Sequence, residues 1–321
     1  MAKKSTPMVS VIMSTYNKAT TIEESVDSIL AQTFTDWELI IISMPSPDNT
    51  IAVARELAKK SKKIILLEQK VRLFPPAARN CGLNIARGKY IAILDDDDVA
   101  LPERLEKEVT FLNEHHDIFL VGSGRITIDN LGVVQSVYRC PYQDPQSIKA
   151  KLPTENMFTH SSVMYRNEGY RYREKITRSQ DYDLYLRLLT DGKRLANIEE
   201  PLVKYRLSNS STSVADNADA LQPLMNKKIL AMYEQRVKYG HDTYDTDTFE
   251  DIRRVNENEP PIKKDWRQIR IYLRSGDQAK VRTLSWDYVK KYKTIKGMLA
   301  YVYSFLPKPL AQFIINHRRK V

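Results

Sequence analysis

Four consecutive aspartates, Asp95 to Asp98, follow an apolar run at residues 89–94. Neighbouring carboxylates repel one another, but together they supply the oxygen ligands that Mg²⁺ and Mn²⁺ prefer. A cation held in this way can bridge phosphates and offset the charge on a leaving group. The alternative is a solvated acidic loop. An EF-hand is excluded, because Val99 stands where that loop requires its third ligand.

Strands and helices that alternate along the first part of the chain must position these aspartates. Strands are predicted from β-branched and apolar runs at 9–13, 38–42, 63–68 and 89–94. The helices between and after them are predicted to begin near Thr21, Thr50, Pro76 and Pro102. Thr21 and Glu24 form a capping-box pattern, and Gly88 is expected to close the third helix. The alternation predicts a mainly parallel sheet, whose ligands bind at the carboxyl ends of the strands. The aspartates stand at such an end.

The pattern changes towards the C-terminus. Further elements are predicted as strands within 119–140, a short helix at 145–152, a strand at 161–166 and a helix at 179–192. The sequence NSSTS indicates a polar loop, and from about residue 218 the pattern is helical throughout. We therefore predict an α/β domain at 1–218 and a mainly helical region at 219–321.

Charge is distributed unevenly between these two regions. The chain has 321 residues, a net charge of +10 and an ordinary globular composition, with 42% hydrophobic residues. Residues 261–321 contain 15 Lys and Arg against 3 Asp and Glu, so the excess of positive charge lies in the tail. A basic tail favours an anionic partner such as a membrane surface, a nucleic acid or an acidic polymer.

Cysteine content and hydropathy indicate a cytoplasmic protein. Two cysteines, Cys81 and Cys140, are too few for a disulfide framework or a four-thiolate zinc site. The first apolar run is short and is interrupted by Ser10 and Ser14, which favours a strand over a signal peptide. No apolar stretch reaches the roughly 18 residues of a spanning helix, so we expect a protein without one.

Three separated motifs together resemble the family-2 inverting glycosyltransferases of the GT-A fold. They are VSVIMSTYNKATTIEESVDSILAQTFTDWELIII (9–42), AARNCGLNIARGKYIAILDDDDVALP (77–102) and SQDYDLYLRL (179–188). The resemblance covers about residues 8–210 and implies a GT-A fold, Rossmann-like with a mainly parallel sheet flanked by helices, followed by a C-terminal helical extension. It also implies a nucleotide-diphosphate-sugar donor and a bound Mn²⁺ or Mg²⁺.

The resemblance assigns donor-binding roles to residues after the first and fourth strands. The nucleotide would be held by Ser14, Thr15, Tyr16 and Asn17, with Tyr16 stacked on the base unless it is simply a core side chain. Asp95 and Asp96 would contact the ribose, Asp97 would coordinate the metal, and Asp95 is a second candidate ligand. Asp98 would be an outer carboxylate or one that faces the following helix.

The third motif carries the expected catalytic base. Asp181 matches the family's base, with Gln180 in place of the usual glutamate. It would remove the acceptor proton during in-line attack on the sugar. Asp183 is the other candidate for this role, and Asp181 could instead only cap the helix. His160 matches a histidine expected to contact the diphosphate, although a structural role is also open, and Arg79 is either a phosphate-binding or a packing residue.

One turn departs from the family pattern. Ser43 and Met44 stand where an aspartate is expected to hydrogen-bond the base. A UDP-sugar donor is therefore in question, although the hydroxyl of Ser43 or a backbone carbonyl could replace the carboxylate. Asp48 preserves the later aspartate of the turn.

The basic tail has two interpretations. Apolar positions from Leu299 to Leu306 follow helical spacing between lysine-rich and arginine-rich flanks, and Pro307 and Pro309 interrupt the pattern. This fits an amphipathic anchor at the inner face of the cell membrane. The alternative is helices that pack on the catalytic domain or form a homodimer. No nucleic-acid-binding module is recognised.

We therefore predict a metal-dependent inverting glycosyltransferase that builds a surface glycan such as capsule or lipopolysaccharide on a glycan or lipid-linked acceptor. A degenerate, non-catalytic binding or scaffold protein on the same fold is the first alternative, with Met44 and Gln180 as signs of lost function. A nucleotidyltransferase is disfavoured, because STYNKATT replaces the glycine-rich loop that would bind a triphosphate.

Overall fold

The computed structural model describes residues 6–207, 218–252, 260–275 and 278–306. These residues fall into two compact units. The first lies within Met1–Arg206 and Ile229–Tyr244, and the second within Leu207–Lys228 and Asp245–Val321. The polar loop predicted at 209–213 and the proline-containing end of the tail lie outside the described residues.

The described strands of the first unit form one nine-stranded sheet. They are β1 (Val9–Thr15), β2 (Trp37–Ser43), β3 (Ile64–Glu68), β4 (Tyr90–Ile93), β5 (Val99–Ala100), β6 (Ile118–Ile128), β7 (Val134–Tyr138), β8 (Met164–Arg166) and β9 (Arg194–Arg206). The order is β3-β2-β1-β4-β8-β6-β9-β5, with β7 paired to β6. Pairing is parallel among β1 to β4 and mixed beyond β8.

Helices connect and cover these strands. They are α1 (Ile22–Leu30), α2 (Thr50–Lys59), α3 (Pro75–Leu83), α4 (Arg104–Glu114), α5 (Pro145–Lys151) and α6 (Gln180–Thr190). Helix α7 (Ala218–Tyr239) follows the last strand. Strands β1, β2 and β4 are buried along almost their whole length, which explains their continuous apolar sequences. One core cluster unites their side chains with α1 and α4, so the carboxyl edge of β1 and β4 is rigidly supported.

Each predicted strand and helix of the first part of the chain occurs, but three local predictions are wrong. Helix α3 ends at Leu83 and not at Gly88. A Cβ on Gly88 would stand 2.4 Å from the backbone nitrogen of Ser10, so this glycine serves the close approach of the chain to β1. The first residues of the strand predicted at 161–166 form a 3₁₀ turn, His160–Ser162.

The predicted capping box at α1 is also wrong. The Thr21 side chain makes no capping hydrogen bond, and its hydroxyl instead donates to the carbonyl of Asp96 at 3.0 Å. Glu24 pairs with Arg206. Both side chains are therefore used to hold the aspartate loop and the end of β9.

The second unit is helical in its described part. Three helices follow one another, α8 (Pro261–Ser275), α9 (Gln278–Tyr292) and α10 (Ile295–Tyr303). Their small core contains Ile269, Tyr288 and Ala300. Among the described helices, none is both long enough and apolar enough to cross a membrane.

Candidate active site

The carboxyl ends of β1 and β4 bring the first two motifs together. The two strands are parallel neighbours in register, with Ile12 opposite Ile93. Thr15 and the aspartates therefore emerge at the same edge of the sheet. The backbone N–H of Tyr16 donates to Asp96 Oδ2 at 3.3 Å, so the STYN segment and the aspartate loop are in direct contact.

Backbone hydrogen bonds fix the loop after β1. Asn17 adopts a left-handed conformation with φ of 56°, and its N–H donates to Ser46 at 3.2 Å. The next two N–H groups donate to the turn before α2: that of Lys18 to the Thr50 hydroxyl at 2.8 Å and that of Ala19 to Asp48 at 3.0 Å. Asp48 thus joins two loops of the predicted nucleotide site.

The first aspartate is engaged by basic side chains. Asp95 accepts a hydrogen bond from Arg79 at 2.5 Å, and His160 Nδ1 lies 3.9 Å from the same carboxylate. Although burial disfavours its charge, Arg79 and then His160 hold the pKa of Asp95 well below its usual range. Asp95 is therefore an ionised carboxylate that forms an ion pair with Arg79.

The second and third aspartates share one lysine. Lys18 Nζ lies 2.5 Å from Asp97 Oδ2, and both side chains are almost fully buried. Burial opposes the charge on Lys18, but Asp97 and Asp96 raise its pKa above the usual value. Burial and the neighbouring Asp97 raise the pKa of Asp96 to about 7. One lysine thus does not balance both carboxylates.

The fourth aspartate has a structural position. Asp98 is buried and accepts hydrogen bonds from the Ser161 hydroxyl and, at 2.8 Å, from the backbone N–H of Arg206. Arg206 also donates to the carbonyl of Asp97 at 2.9 Å. Asp98 therefore joins the aspartate loop to the end of β9 and does not lie at the start of α4.

The aspartates alone do not supply enough ligands to hold a cation, and a bound substrate would have to supply the rest. Among the described residues, no group of three or more His, Cys, Asp or Glu is arranged to hold a metal. Mg²⁺, however, is commonly held by one or two carboxylates together with substrate phosphates and water. Asp96 and Asp97 supply such a pair, with more negative charge than Lys18 balances. These two residues would hold a cation only if Lys18 left Asp97.

Tyr16 and Ser43, the side chains expected near the base, make few contacts with polar groups of the protein. Tyr16 is half-buried and is not a core residue, and the Arg72 guanidinium lies 4.0 Å from its ring centre. The Ser43 side chain is buried, and its hydroxyl has no hydrogen-bond partner among the described residues. Met44 is buried beside it. A buried hydroxyl without a partner is a ready hydrogen-bonding group for a ligand.

Geometry separates the two aspartates of the third motif. Asp183 is fully buried and pairs with Arg187 at 3.0 Å and with Arg173 at 3.7 Å. Asp181 is partly exposed, and its carboxylate accepts a hydrogen bond from Asn156 at 3.0 Å. The helix is preceded by Ser179, a non-glycine residue with φ of 52°, so Asp181 is not its N-cap.

Arg79 is buried beside the aspartate loop, where it donates to Asp95. Burial disfavours its charge, but the charge of Asp95 and, to a smaller extent, that of Asp181 raise the pKa of Arg79. Its Nη1 is buried without a hydrogen-bond partner among the described residues. His160 completes this side through a 2.9 Å contact with the Tyr172 hydroxyl. The site therefore combines the carboxylates of the aspartate loop with the guanidinium of Arg79, whose Nη1 has no hydrogen-bond partner among the described residues.

Three residues of the site were not identified from the sequence: Lys18, Asn156 and Arg206. Lys18 follows the STYN motif directly, and this place in the sequence could have identified it, whereas its contact with Asp97 is tertiary. Asn156 and Arg206 reach the site only through tertiary contacts with Asp181 and with the aspartate loop. No local pattern indicates such contacts.

Comparisons with known proteins identify the family of the chain. The family model described as Glycosyl transferase family 2 matches residues 10–172, about half of the chain. The uncharacterized glycosyltransferase MJ1057 of Methanocaldococcus jannaschii is 39% identical over 209 residues, which are 63% of this chain and 72% of that protein. The Escherichia coli protein WfgD, named as a UDP-Glc:alpha-D-GlcNAc-diphosphoundecaprenol beta-1,3-glucosyltransferase, is 32% identical over 209 residues, 64% of this chain and 79% of that one.

A solved structure shares the fold. Residues 1–349 of TarS from S. aureus, in complex with UDP-GlcNAc, superpose with a TM-score of 0.56 at 16% sequence identity. The match covers 92% of this chain and 90% of that one. The predicted GT-A fold with additional C-terminal helices is thereby confirmed.

Proposed function

The chain belongs to glycosyl transferase family 2, and from this premise we propose that it transfers a sugar from a nucleotide-diphosphate donor to a lipid-linked acceptor in the synthesis of a cell-surface polysaccharide. The observation that carries the proposal is the direct contact between the loop after β1 and the aspartate loop, through Tyr16 and Lys18. The named activity of WfgD and the donor bound to TarS support the choice of substrates.

We assign the acceptor side to Asp181. Its carboxylate is partly exposed and is oriented by Asn156, whereas Asp183 is buried among arginines. A carboxylate in this position can take the proton from an acceptor hydroxyl as the oxygen attacks the anomeric carbon from the side opposite the diphosphate. Such a single displacement inverts the anomeric configuration and needs no covalent intermediate.

We assign the donor side to the loop after β1 and to the aspartates. Asp97, with Asp96 beside it, would hold Mn²⁺ or Mg²⁺, which supplies charge stabilisation for the departing diphosphate when bound. Lys18 leaves Asp97 in that state and becomes available to a phosphate oxygen. Arg79 offers its unused Nη1 donor on the same side. Tyr16 would stack on the base of the nucleotide, and the hydroxyl of Ser43 would form a hydrogen bond with that base. Because Ser43 can replace the missing aspartate in this way, a UDP-sugar is the leading donor.

The proposal also includes a cytoplasmic enzyme that contacts the membrane peripherally. A lipid-linked acceptor lies at a membrane surface, and the basic C-terminal region carries the charge that anionic lipids attract. A homodimer formed through this region is the alternative use of the same residues.

Thermal-shift measurements with nucleoside diphosphates test the donor assignment. We expect one nucleoside diphosphate to raise the melting temperature in the presence of Mn²⁺ and to have a much smaller effect without it, since binding to the folded state stabilises it. The corresponding nucleotide sugar should then be consumed when a lipid-linked acceptor is added. The absence of both a stabilising nucleotide and any donor turnover would favour the degenerate binding protein.

A further inference from the structure

Helix α10 presents an apolar face to solvent. Ile295, Leu299 and Val302 follow the three-and-four spacing of one helical stripe, and they are 81%, 56% and 56% exposed. Met298 lies beside them and is also exposed. Surface helices ordinarily turn their polar side chains outward, so the orientation of α10 is the reverse of the usual one.

The inner face of α10 explains this orientation. Gly297, Ala300 and Ser304 are buried at the contact with the rest of the second unit. A Cβ on Gly297 would lie 2.7 Å from Tyr288 of α9, which leaves no space for a larger side chain. The helix therefore cannot rotate to bury its apolar stripe without losing this contact.

Aromatic side chains extend the apolar face. Trp286 of α9 is exposed, and its ring centre lies 4.9 Å from that of Tyr301. Phe305 is exposed just after the helix, with the Arg282 guanidinium 4.0 Å from its ring centre. Tryptophan and tyrosine are enriched at the interface between lipid and water.

The surroundings of this face are positively charged. Between Gln278 and Leu306 there are six Lys and Arg and a single acidic residue, Asp287. The side chains of Lys290, Lys293 and Lys296 are exposed and have no acidic partner among the described residues. An apolar stripe flanked by such charges matches the surface of an anionic lipid bilayer, which has negatively charged headgroups outside and an apolar interior.

We propose that the outer face of α10, together with Trp286 and Phe305, enters the headgroup region of an anionic lipid bilayer while the three lysines bind lipid phosphates. A second copy of the chain fits less well, because a two-fold contact would place the lysines of both copies against one another. The inference deepens the proposed function, since this surface would bring the enzyme to a lipid-linked acceptor.

Flotation with lipid vesicles tests this proposal on the full chain without any donor. Wild-type protein is expected to bind vesicles that contain phosphatidylglycerol, to bind pure phosphatidylcholine vesicles weakly, and to lose binding as salt increases. Leu299→Glu should weaken partitioning by about tenfold or more, because it places a charge on the inserted face. Lys290→Glu should weaken it by about fivefold or more on anionic vesicles.

Leu131→Glu is the matched control. Leu131 is 89% exposed in the β6–β7 hairpin, so the substitution adds the same charge at an apolar position away from α10. This variant should bind vesicles like the wild type. Thermal melting of each variant checks that the fold is kept.

Three results would overturn the proposal: wild-type protein that does not bind anionic vesicles, Leu299→Glu protein that binds as well as wild type, or a solution dimer that Leu299→Glu dissociates while vesicle binding is unchanged. Transfer to a water-soluble acceptor separates this question from the proposed function. Vesicle binding without any transfer would leave this inference standing and remove the proposed function, whereas transfer without vesicle binding would do the reverse.

Discussion

The two aspartates of SQDYDL show how burial separates residues that the sequence leaves equivalent. Asp183 lies in a cluster with Arg173 and Arg187, whereas Asp181 is partly exposed. The sequence could place both near a site at the start of a helix. Only the packing of α6 decides which of them is buried.

Replacement of Asp181 by asparagine should nearly abolish transfer. We expect the turnover number to fall by about 100- to 10,000-fold, since the acceptor loses its general base, while donor affinity stays close to that of the wild type. Steady-state kinetics and calorimetry measure the two effects. Asp183→Asn is the comparison, and it should mainly lower the melting temperature. A fully active Asp181→Asn enzyme would exclude this aspartate as the base.

Asn156 is expected to position that base. Its side chain N–H donates to Asp181, and its side-chain oxygen accepts from the N–H of Phe158 at 3.1 Å, which fixes the orientation of the amide. Asn156→Ala should lower kcat with little change in KM for the donor, because the carboxylate loses the hydrogen bond that orients it. Steady-state kinetics measure both constants, and an unchanged kcat would show that Asn156 does not position the base.

The position of Lys18 makes a prediction about metal binding. Its ammonium group pairs with the carboxylate of Asp97, the proposed metal ligand, so nucleotide-free protein should bind Mn²⁺ weakly. Lys18→Met should strengthen Mn²⁺ binding to the nucleotide-free protein and weaken binding of the nucleoside diphosphate. Electron paramagnetic resonance of Mn²⁺ and calorimetry measure these affinities. Opposite changes would show that Asp97 is not the metal ligand.

Among the strands, β1, β2 and β4 were predictable because they are buried along almost their whole length and therefore have continuous apolar sequences. Strand β9 was not predicted. It contains two glutamates and Pro201, and its pairing with β6 shifts register near that proline, so neither alternation nor a continuous apolar run is preserved. Because β9 was not predicted, the contact of Arg206 with the aspartate loop could not be predicted either.

A buried ion pair attaches α4 to the sheet beneath the aspartate loop. Arg104 and Glu108 are both fully buried and lie 3.0 Å apart, and Arg104 also donates to the carbonyls of Ile93 and Val163. Arg104→Met should destabilise the protein by about 3–5 kcal/mol, because an unpaired buried carboxylate remains. The double variant Arg104→Met with Glu108→Leu should recover part of this loss. Chemical denaturation measures both, and a more stable single variant would contradict the account.

For the whole molecule, the sequence distinguished an α/β part from a basic helical part. It could not show that a later segment of the chain returns to the first unit. Residues Ile229–Tyr244 belong to the first unit with the sheet. They are held there by Asp242, which accepts from Arg173 at 2.7 Å and also pairs with Arg236. Contacts between charged residues 69 positions apart leave no local pattern.

This attachment should depend on pH. Although burial disfavours its charge, the hydrogen bonds from Arg173, the Tyr244 N–H and Arg236 lower the pKa of Asp242 in the folded protein. Its stabilising effect is therefore complete well above pH 4 and is lost as the pH falls through the folded-state pKa. Asp242→Asn should cost about 3 kcal/mol at pH 7 and much less in acid, as measured by urea unfolding at several pH values. A pH-independent difference would contradict this role.

An inverting glycosyltransferase with Asp181 as its base should convert an α-linked donor into a β-linked product. Anomeric proton NMR measures this outcome, using an α-linked nucleotide-diphosphate sugar, a lipid-linked acceptor and Mn²⁺. We predict a β-linked product and an equal amount of nucleoside diphosphate, both lost in Asp181→Asn. An α-linked product, or a β-linked product formed equally well by the Asp181→Asn enzyme, would contradict the account.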